Sequence, residues 1–553
     1  MPEIRLLRPT TTIAVVAALA LLAPLAASAP AAPAHVAVAT ANERVIVQAV
    51  TVDVARRAVE AVGGVVRIDL PIVDGVAADV PAALVHALAG GPGIRAVTSD
   101  ARMTVQGTIG DEGRVAPESK PKSVYPKVVR ADELGKEGGT GAGVRVAVLD
   151  TGINETRDLR GRILPVVSKF LGAPQPCVNL SGEPTCADRY GHGTFMAGII
   201  AGDGTASRGK YVGVAPEAEL ISIKVGGRDG SADVSSVLAG IQWAVSFRDR
   251  YDIRVLNLSL GTDSKQSWKV DPLNYAVEQA WLSGITVVVA ASNRGPDAGT
   301  ISKPGDDPWV ITVGATDDLM TVPIADDWLP DFSARGPAPQ GVAKPDVVAP
   351  GAHIVSLRAK GSTIDRRFDN YIDKTYRQGS GTSMSAAVVS GVAAAILSRK
   401  PSTSPNRLKY MLMETARPVA VPDEDAVGQG MVDGYDAAFN APAGLANEGL
   451  AKSTGTGSLE ASRGNVHVSV DGQVVDGLLT ARMILWEALL FLGLWDEGTW
   501  YAFDLLGLWR MTNWHDDVWA GHNWEGCSWG ETHDDKCFYG HNWEGSAWYG
   551  AWD

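Results

Sequence analysis

Short apolar runs alternate with helical patterns through the middle of the chain. Five runs of the kind that strands buried on both faces show occur at 144–149, 218–225, 255–260, 286–291 and 310–313. Three stretches with helical spacing lie between them, at 192–201, 232–247 and 273–282. The alternation predicts an α/β fold with a doubly wound parallel sheet and helices on both faces. Its functional groups should lie at the carboxyl ends of the strands.

A smaller pattern precedes this one at 44–105. It has six predicted elements: strands at 44–50, 65–70, 75–80 and 94–97, and helices at 54–62 and 81–88. The order strand, helix, strand, strand, helix, strand predicts a ferredoxin-like α+β sandwich.

The N-terminus has the pattern of a secretory signal at 1–29. Arg5 and Arg8 precede a short apolar stretch at 13–25, and small residues follow at 27–29. An uncleaved anchor is the alternative, but the stretch is short for a bilayer. No later segment of membrane length is without a charge, so we expect a secreted, extracellular protein with no membrane span.

The remaining segments are predicted to be linkers and a C-terminal tail. Residues 30–43 are rich in Ala and Pro and predict a flexible segment, and 106–140 is a Gly-, Pro- and charge-rich linker open to proteolysis. The α/β unit then covers 141–440, and a Gly/Ser-rich linker follows at 441–480.

The last segment, 481–553, holds eleven of the sixteen tryptophans and repeats the hexapeptide Gly-His-Asn-Trp-Glu-Gly from Gly521 and from Gly540. Clustered tryptophans could stack on sugars or cell-wall polymer, and a partly disordered tail is the alternative. Its histidines and aspartates have no recognised metal-ligand spacing.

Charge and cysteine content narrow the function classes. The formal net charge is -14 with no long basic run, which argues against nucleic acid or an anionic membrane as the main partner. The four cysteines form two local pairs, Cys177 with Cys186 and Cys527 with Cys537. In an exported chain two disulfide loops are expected. Metal binding by the cysteines is the alternative interpretation, and neither pair has the Cys-x-x-Cys spacing that would support it.

His192 is the candidate base of a hydrolase site. It lies between two glycines at the start of a helical pattern, where glycine lets another backbone approach closely. A helix-capping histidine is the alternative. The other histidine between residues 120 and 440, His353, lies in a turn before a strand and is interpreted as a surface or packing residue.

Asp150 ends the first apolar run of the α/β pattern. A carboxylate buried there needs a hydrogen-bond donor. An imidazole N–H is suitable, and such a pairing fixes the tautomer of the ring and stabilises the imidazolium. The alternative is a carboxylate that caps the next turn.

Ser383 directly precedes an Ala/Val-rich helical stretch at 386–397. On the first turn of that helix its Oγ can face a base, and its backbone N–H can face a developing oxyanion. Asn293 follows the run 286–291, and its amide could supply a second oxyanion donor. The alternatives are a helix N-cap for Ser383 and a turn residue for Asn293.

Together these features resemble the subtilisin-like (subtilase) peptidases over about residues 140–440. The order Asp, His, Ser is that family's order. The motifs that carry the resemblance are Asp150-Thr-Gly, Gly191-His-Gly-Thr, Gly213-Val-Ala-Pro216, Asn257-Leu-Ser-Leu-Gly261, Asn293 with Gly295-Pro296, Lys344-Pro-Asp-Val-Val-Ala-Pro-Gly351 and Gly381-Thr-Ser-Met.

The resemblance implies a role for each site residue. Ser383 would be the nucleophile, His192 the general base and then acid, and Asp150 the residue that orients the ring. Asn293 and the Ser383 N–H would form the oxyanion hole. Two backbone edges would hold an extended substrate by β-addition. Those edges are Ser259, Leu260 and Gly261 on one side and Gly230, Ser231 and Ala232 on the other.

Residues 44–105 resemble the inhibitor-type propeptide of the same family, on Gly63-Gly-Val-Val and Ile94-Arg-Ala-Val-Thr-Ser-Asp100. The resemblance implies an intramolecular chaperone and inhibitor that is removed by a cut within 106–140. An unrelated small α+β domain is the alternative.

The resemblance implies no cofactor for the chemistry. It leaves structural calcium open, with Asp158 and Asp188 as candidate oxygen ligands, although exposed carboxylates are more often simply solvated. Three positions depart from the family pattern: Phe195, Ala387 and Ser292 stand where histidine, proline and glycine are common.

The sequence therefore predicts a secreted serine endopeptidase that forms an acyl-enzyme on Ser383 and is made as a self-processed zymogen. Its partners would be protein or peptide substrates and its own propeptide. The alternative is a non-catalytic secreted protein that binds a cell surface through the Trp-rich tail. The presence of Asp150, His192, Ser383 and Asn293 favours the enzyme.

Overall fold

The computed structural model describes residues 42–105, 123–167, 174–369, 371–421 and 423–458, with the backbone of two short strands beyond them. The predicted signal and the Trp-rich tail lie outside the described residues. The strands are β1 Asn42–Ala49, β2 Val65–Leu70, β3 Gly75–Pro81, β4 Ile94–Ser99, β5 Arg102–Val105, β6 Arg145–Asp150, β7 Val166–Val167, β8 Pro174–Gln175, β9 Val178–Asn179, β10 Glu219–Lys224, β11 Ser231–Asp233, β12 Ile253–Leu258, β13 Leu260–Gly261, β14 Thr286–Ala290, β15 Ile311–Thr316, β16 Val347–Pro350, β17 Ile354–Leu357, β18 Tyr376–Gly379, β19 Ser469–Val470 and β20 Gln473–Val474. The helices are α1 Val52–Ala61, α2 Ala82–Ala89, α3 Tyr125–Val128, α4 Ala131–Lys136, α5 His192–Ala201, α6 Val234–Ser246, α7 Arg248–Tyr251, α8 Pro272–Leu282, α9 Thr363–Arg367, α10 Thr382–Arg399, α11 Pro405–Glu414, α12 Glu424–Val427 and α13 Gly434–Phe439.

A seven-stranded parallel sheet forms the centre of the molecule. Its strand order is β16-β15-β14-β12-β6-β10-β9, so the chain starts at the centre with β6, goes to one side with β10 and returns to the other with β12. The central strands are apolar and buried along almost their whole length, because both of their faces are covered. The predicted α/β fold with a parallel sheet is confirmed. The switch between β10 and β12 places the end of β6 at a crevice.

Helices cover the two faces of the sheet. A Cβ added at Gly240 of α6 would lie 2.8 Å from Leu149, and one added at Gly193 of α5 would lie 3.2 Å from the Cβ of Asp150. Neighbouring residues of a strand point to opposite faces, so α6 and α5 lie on opposite sides of β6. Helix α10 packs against α5 and contacts five strands of the sheet, and α8 packs against α6.

The N-terminal unit, residues 42–105, has an antiparallel sheet in the order β2-β3-β1-β4 with two helices. One face of this sheet packs on its own helices through Val45 and Val47, which join Val59 and Val85 in a small separate core. Side chains of the other face, such as Ile46, belong to the core of the large domain. The unit therefore completes its burial on the large domain.

Two segments predicted as linkers differ in the structure. From residue 123 onward the segment 106–140 is folded, because Tyr125, Val128 and Leu134 are buried against the large domain. Residues 441–458 contact α11 and then α8: Arg407 donates to the carbonyls of Ala441 and Pro442, and the Ser453 N–H donates to both carboxylate oxygens of Glu278 at 3.0 and 2.8 Å.

A disulfide joins Cys177 and Cys186, with 5.7 Å between their Cα atoms. The second predicted pair lies outside the described residues. By length and composition, α10 is the one helix of the described part of the chain that could cross a membrane, and 89% of that window is buried inside the fold.

Candidate active site

Asp150 is the last residue of β6 and is 1% exposed. The neighbouring Thr151 N–H donates to its Oδ1 at 2.7 Å. Position 193 approaches the strand so closely that a Cβ there would lie 2.1 Å from the Gly152 carbonyl oxygen. Glycine at 193 therefore lets the start of α5 approach the carboxylate.

His192 opens α5 and is fully buried. Its Nδ1 lies 2.9 Å from each carboxylate oxygen of Asp150, so the ring N–H donates to that carboxylate. Because Nδ1 carries the hydrogen, the lone pair lies on Nε2. Nε2 is buried and has no hydrogen-bond partner among the described residues. An unpartnered buried imidazole nitrogen is poised to accept a proton.

Ser383 is the second residue of α10 and is buried. Its Oγ donates to the carbonyl oxygen of Ser259 at 3.3 Å. The preceding Gly381 has φ 145°, which glycine adopts without strain. The hydroxyl therefore lies beside one of the two predicted substrate edges, at the positive end of a long helix dipole.

Asn293 reaches the start of the same helix. Its side-chain oxygen accepts hydrogen bonds from the backbone N–H and the hydroxyl of Thr382, at 2.8 and 3.0 Å. The oxygen is thus held toward α10, which leaves Nδ2 as the donor of that amide. The structure brings Asn293 within one residue of Ser383.

Ser292, directly before Asn293, has an unusual backbone conformation. It is fully buried with φ 126°, a region that L side chains rarely adopt. Strain of this kind clusters at functional sites.

The two predicted substrate edges are occupied by a strand of the N-terminal unit. Strand β5 pairs antiparallel with β11 on one side and with β13 on the other. The register sets Thr104 opposite both Ser231 and Gly261, and Val105 opposite Leu260. The Val105 N–H donates to the Gly230 carbonyl at 3.4 Å. Of the six predicted edge residues, Ala232 was assigned to a helix by pattern and lies in a strand instead.

Asp188 supports the site, a role that sequence reasoning missed. Its carboxylate accepts four hydrogen bonds: from Gly191 N–H at 2.6 Å, Thr151 hydroxyl at 2.8 Å, and the Thr194 N–H and hydroxyl at 2.8 and 2.7 Å. It therefore fixes the first turn of the helix that carries His192. Burial raises the pKa of Asp188, and the four hydrogen bonds oppose that shift. Its place three residues before Gly191 is the signal that could have found it.

The two candidate calcium ligands are engaged by protein donors. Asp158 accepts from the Ala206 N–H at 2.6 Å and from the Tyr376 hydroxyl, and Asp188 is saturated as described. Within residues that the structure describes, no group of three or more His, Cys, Asp or Glu side chains could hold a metal ion. The donor sets at Asp158 and Asp188 fit hydrogen bonding rather than calcium.

Comparison with known proteins agrees with this geometry. A sequence model of the subtilase family matches residues 141–457. The chain belongs to the subtilase family. The resemblance to this family that the motifs indicated is confirmed, and so is the predicted enzyme class, a subtilisin-like serine protease.

Two relatives and one solved structure illustrate the similarity. This subtilase is 41% identical to serine protease AprX of Bacillus subtilis (strain 168), over 53% of this chain and 66% of AprX. It is 35% identical to subtilisin Savinase of Lederbergia lenta, over 55% of this chain and 94% of that protein. The crystal structure of fervidolysin from Fervidobacterium pennivorans, a keratinolytic enzyme related to subtilisin, aligns with a TM-score of 0.55 at 24% identity. That alignment covers 72% of this chain and 61% of fervidolysin, and supports the fold.

Proposed function

We propose that this subtilase is a secreted serine endopeptidase with the triad Asp150, His192 and Ser383. The observation that carries the proposal is the His192 ring. Its Nδ1 donates to Asp150, while the buried Nε2 has no partner and is able to take a proton. Ser383 lies at the start of α10, beside an edge that already binds an extended strand.

Acyl transfer follows from these positions. The Ser383 hydroxyl turns away from the Ser259 carbonyl and attacks the carbonyl carbon of the substrate, and its proton passes to Nε2 of His192. Asp150 stabilises the imidazolium. His192 then gives the proton to the leaving amine. Water activated by the same Nε2 hydrolyses the acyl-enzyme and releases Ser383.

The oxyanion is stabilised by two donors from different elements. Thr382 holds the oxygen of the Asn293 amide, so Nδ2 is the group that donates to the oxyanion. The Ser383 N–H at the start of α10 is the second donor. Removing one donor of this type from a serine protease costs roughly 10²–10³ in kcat.

Substrates bind as β5 does, as an extended strand between β11 and β13. Backbone hydrogen bonds to two edges give affinity without dependence on sequence, and side chains that point into the fold add selectivity. Met103 is fully buried in this arrangement. An apolar side chain at the equivalent substrate position is therefore favoured.

The N-terminal unit is proposed as the propeptide and inhibitor. It covers the cleft with β5, and its sheet buries one face on the peptidase domain. Asp100 adds a charged contact, because its carboxylate accepts from the Ser235 N–H and hydroxyl at 2.7 Å each. These donors lie in the first turn of α6, where the helix dipole favours a negative charge.

The register of β5 indicates which bond is cut during processing. Leu260 is opposite Val105 and Gly261 is opposite Thr104, so a bound strand that continued this antiparallel register by one residue would face Ser259. The Ser259 carbonyl lies 3.3 Å from the Ser383 Oγ. We therefore infer that the peptide bond between Gln106 and Gly107 is the one presented to Ser383.

Export is proposed from the signal-like N-terminus, and the disulfide Cys177–Cys186 is compatible with an oxidising compartment. A targeting role for the Trp-rich tail, on cell-wall or polysaccharide surfaces, stays a hypothesis based on composition. No described contact favours the non-catalytic binding protein over the peptidase.

The test compares the wild type with Ser383→Ala and with the control Ser398→Ala, near the far end of the same helix. Hydrolysis of casein and of a peptide library is measured, and each purified chain is weighed by mass spectrometry. We expect the wild type and the control to hydrolyse peptides and to lack residues up to Gln106. Ser383→Ala should be inactive and uncut.

Equal hydrolysis by Ser383→Ala and the wild type would overturn the triad. A fully trimmed wild type without activity on any peptide would favour the binding protein instead. Activity with a cut elsewhere in 106–122 would keep the enzyme and overturn only the assigned bond.

A further inference from the structure

Two acidic side chains lie at and just before the edge strand β11, where this strand pairs with the N-terminal unit. Asp229 precedes the strand and Asp233 ends it. Strand β5 begins at Arg102, which the register sets opposite Asp233. The Arg102 Nη1 lies 3.3 Å from Asp229 Oδ2, and its Nε lies 3.9 Å from Asp233 Oδ1. One guanidinium therefore lies between two carboxylates.

We propose that Asp229 and Asp233, the acidic pair, select substrates with an arginine four residues before the residue whose carbonyl is attacked. This inference rests on the proposed function, in which β5 marks the path of the substrate and position 106 is attacked. In protease numbering that arginine is at P5.

Asp229 of the acidic pair is held in place by Ser231 of the peptidase domain before any substrate arrives. Asp229 Oδ1 accepts from the Ser231 N–H at 3.1 Å, and its Oδ2 accepts from the Ser231 hydroxyl at 2.8 Å. The same hydroxyl oxygen accepts from Arg102 Nη1 at 2.9 Å. Ser231 thus links the carboxylate to the guanidinium. Little conformational freedom of Asp229 remains to be lost when a substrate arginine binds.

Loss of the N-terminal unit would uncover the acidic pair. Asp233 also pairs with Arg44 of that unit, so two arginines would leave together. In the present structure the side chains of Asp229 and Asp233 are 27% and 22% exposed. Two carboxylates without these arginines attract a cation from the substrate, and their field disfavours an acidic residue there.

Arginine fits the pair better than lysine does. Its planar fork can donate to both carboxylates and to Ser231 at once, whereas an ammonium is a point charge. The site is partly solvated, so the preference is modest and weakens with salt. We expect about a three- to tenfold higher kcat/KM for arginine than for alanine, since exposed ion pairs contribute little each.

The test uses the processed wild type and quenched fluorescent peptides based on Arg-Met-Thr-Val-Gln-Gly-Thr-Ile, the sequence from Arg102 onward. The first residue is Arg, Lys, Ala or Glu, and product masses identify the bond that is cut. We expect kcat/KM to fall in that order at 20 mM salt, and the differences to shrink at 0.5 M.

A double variant, Asp229→Asn with Asp233→Asn, should bring the Arg/Ala ratio of kcat/KM close to one. Asparagine at 233 still suits the start of α6. Asp249→Asn is the matched control, because Asp249 is highly exposed and follows the C-terminal end of α6, whereas Asp233 precedes its first residue. The Arg/Ala ratio of this variant should equal that of the wild type.

If the wild type cuts all four peptides with equal kcat/KM, the acidic pair is not a selector and the peptidase proposal stands. If it cuts none of them and no protein substrate either, the peptidase proposal itself fails. A double variant that keeps the wild-type Arg/Ala ratio would also overturn the selector, and the peptide series decides the question should the variant fail to fold.

Discussion

Two regions of the peptidase domain bury an aspartate to nearly the same degree and satisfy it very differently. Asp188, before α5, is 2% exposed and accepts four hydrogen bonds. Asp327, in the loop after β15, is 4% exposed, and neither of its carboxylate oxygens has a hydrogen-bond partner in the described part of the chain. Burial alone therefore does not decide what a carboxylate does.

The difference distinguishes a carboxylate that positions a catalytic side chain from one whose protonation changes near neutral pH. Around α5 the donors keep each carboxylate in one position, which is what a site needs in order to hold His192. Around the loop, burial and the neighbouring Asp318 raise the pKa of Asp327 to about 7. A carboxyl with few donors holds its proton. The first region should thus control activity, and Asp327 in the second should add a dependence of stability on pH.

The largest expected effect is the loss of activity in Asp150→Asn. The amide of asparagine can donate to Nδ1, which would place the ring hydrogen on Nε2 and remove the base. We expect kcat to fall by about 10⁴, as for the same change in other serine proteases. The measurement is peptide hydrolysis, with the thermal midpoint as a check that the variant is folded. A folded variant within tenfold of the wild-type kcat would contradict the assigned tautomer.

Next in size is the loss of stability in Asp188→Ala. The change leaves buried donors of Gly191 and Thr194 without an acceptor. Each such donor costs about 1–3 kcal/mol, so we expect a loss of about 3–5 kcal/mol. Urea unfolding in the Ser383→Ala background avoids self-digestion.

The matched control for that change is Asp203→Ala, because Asp203 accepts one hydrogen bond, from Thr205 N–H at 2.8 Å, in an exposed turn. We expect it to cost about 1 kcal/mol or less. Equal losses of stability in the two variants would show that the donors around Asp188 form hydrogen bonds with water when its carboxylate is removed. The hydrogen bonds of Asp188 would then not distinguish it from Asp327.

A gain of stability is expected for Asp327→Asn, but only at higher pH. The folded pKa of about 7 exceeds the unfolded value, so the stability that Asp327 contributes is complete below about pH 4 and is lost as the pH rises to 7. Asparagine does not ionise. Each unit of pKa shift corresponds to about 1.4 kcal/mol, so we expect a gain on the order of 2 kcal/mol above pH 8.

Thermal unfolding of both proteins at pH 4.5, 6, 7.5 and 9 tests this expectation. The difference in midpoint should be small at pH 4.5, grow through pH 7 and stay level beyond. Asp297→Asn is the control, because Asp297 is exposed and its charge is not among those that raise the pKa of Asp327. A difference that is the same at every pH would place the effect in packing rather than in ionisation.

The local patterns predicted the parallel sheet because apolar runs buried on both faces need no partner to be recognised. The run 144–149 became β6, Arg145–Asp150, and the pattern 192–201 became α5. The edge strand β11 could not be predicted in this way. Ser231–Asp233 has no apolar period, and it is a strand because β5 pairs with it from far along the chain.

The candidate site, too, could be predicted only where a local sequence motif carries the residue. Short motifs carry Asp150, His192, Ser383 and Asn293, which the structure brings to one edge of the sheet. The environment of a carboxylate is not local. Asp326 and Asp327 are adjacent and chemically identical, yet the first is exposed and the second is buried.

The smallest expected effect concerns Ser292, where the strain lies in the backbone. At φ 126° a glycine should relieve about 1 kcal/mol, because both backbone hydrogen bonds, to Thr382 Oγ1 and from Ala334 N–H, remain. Ser302→Gly is the control: it is as buried, has no positive φ, and should lose about 0.5–1 kcal/mol from backbone entropy. Urea unfolding in the Ser383→Ala background measures both. If Ser292→Gly lost as much stability as Ser302→Gly, the contact between Ser292 Oγ and Arg294 at 3.4 Å would outweigh the backbone strain. Buried side-chain contacts would then decide stability at Ser292, as they do at Asp188.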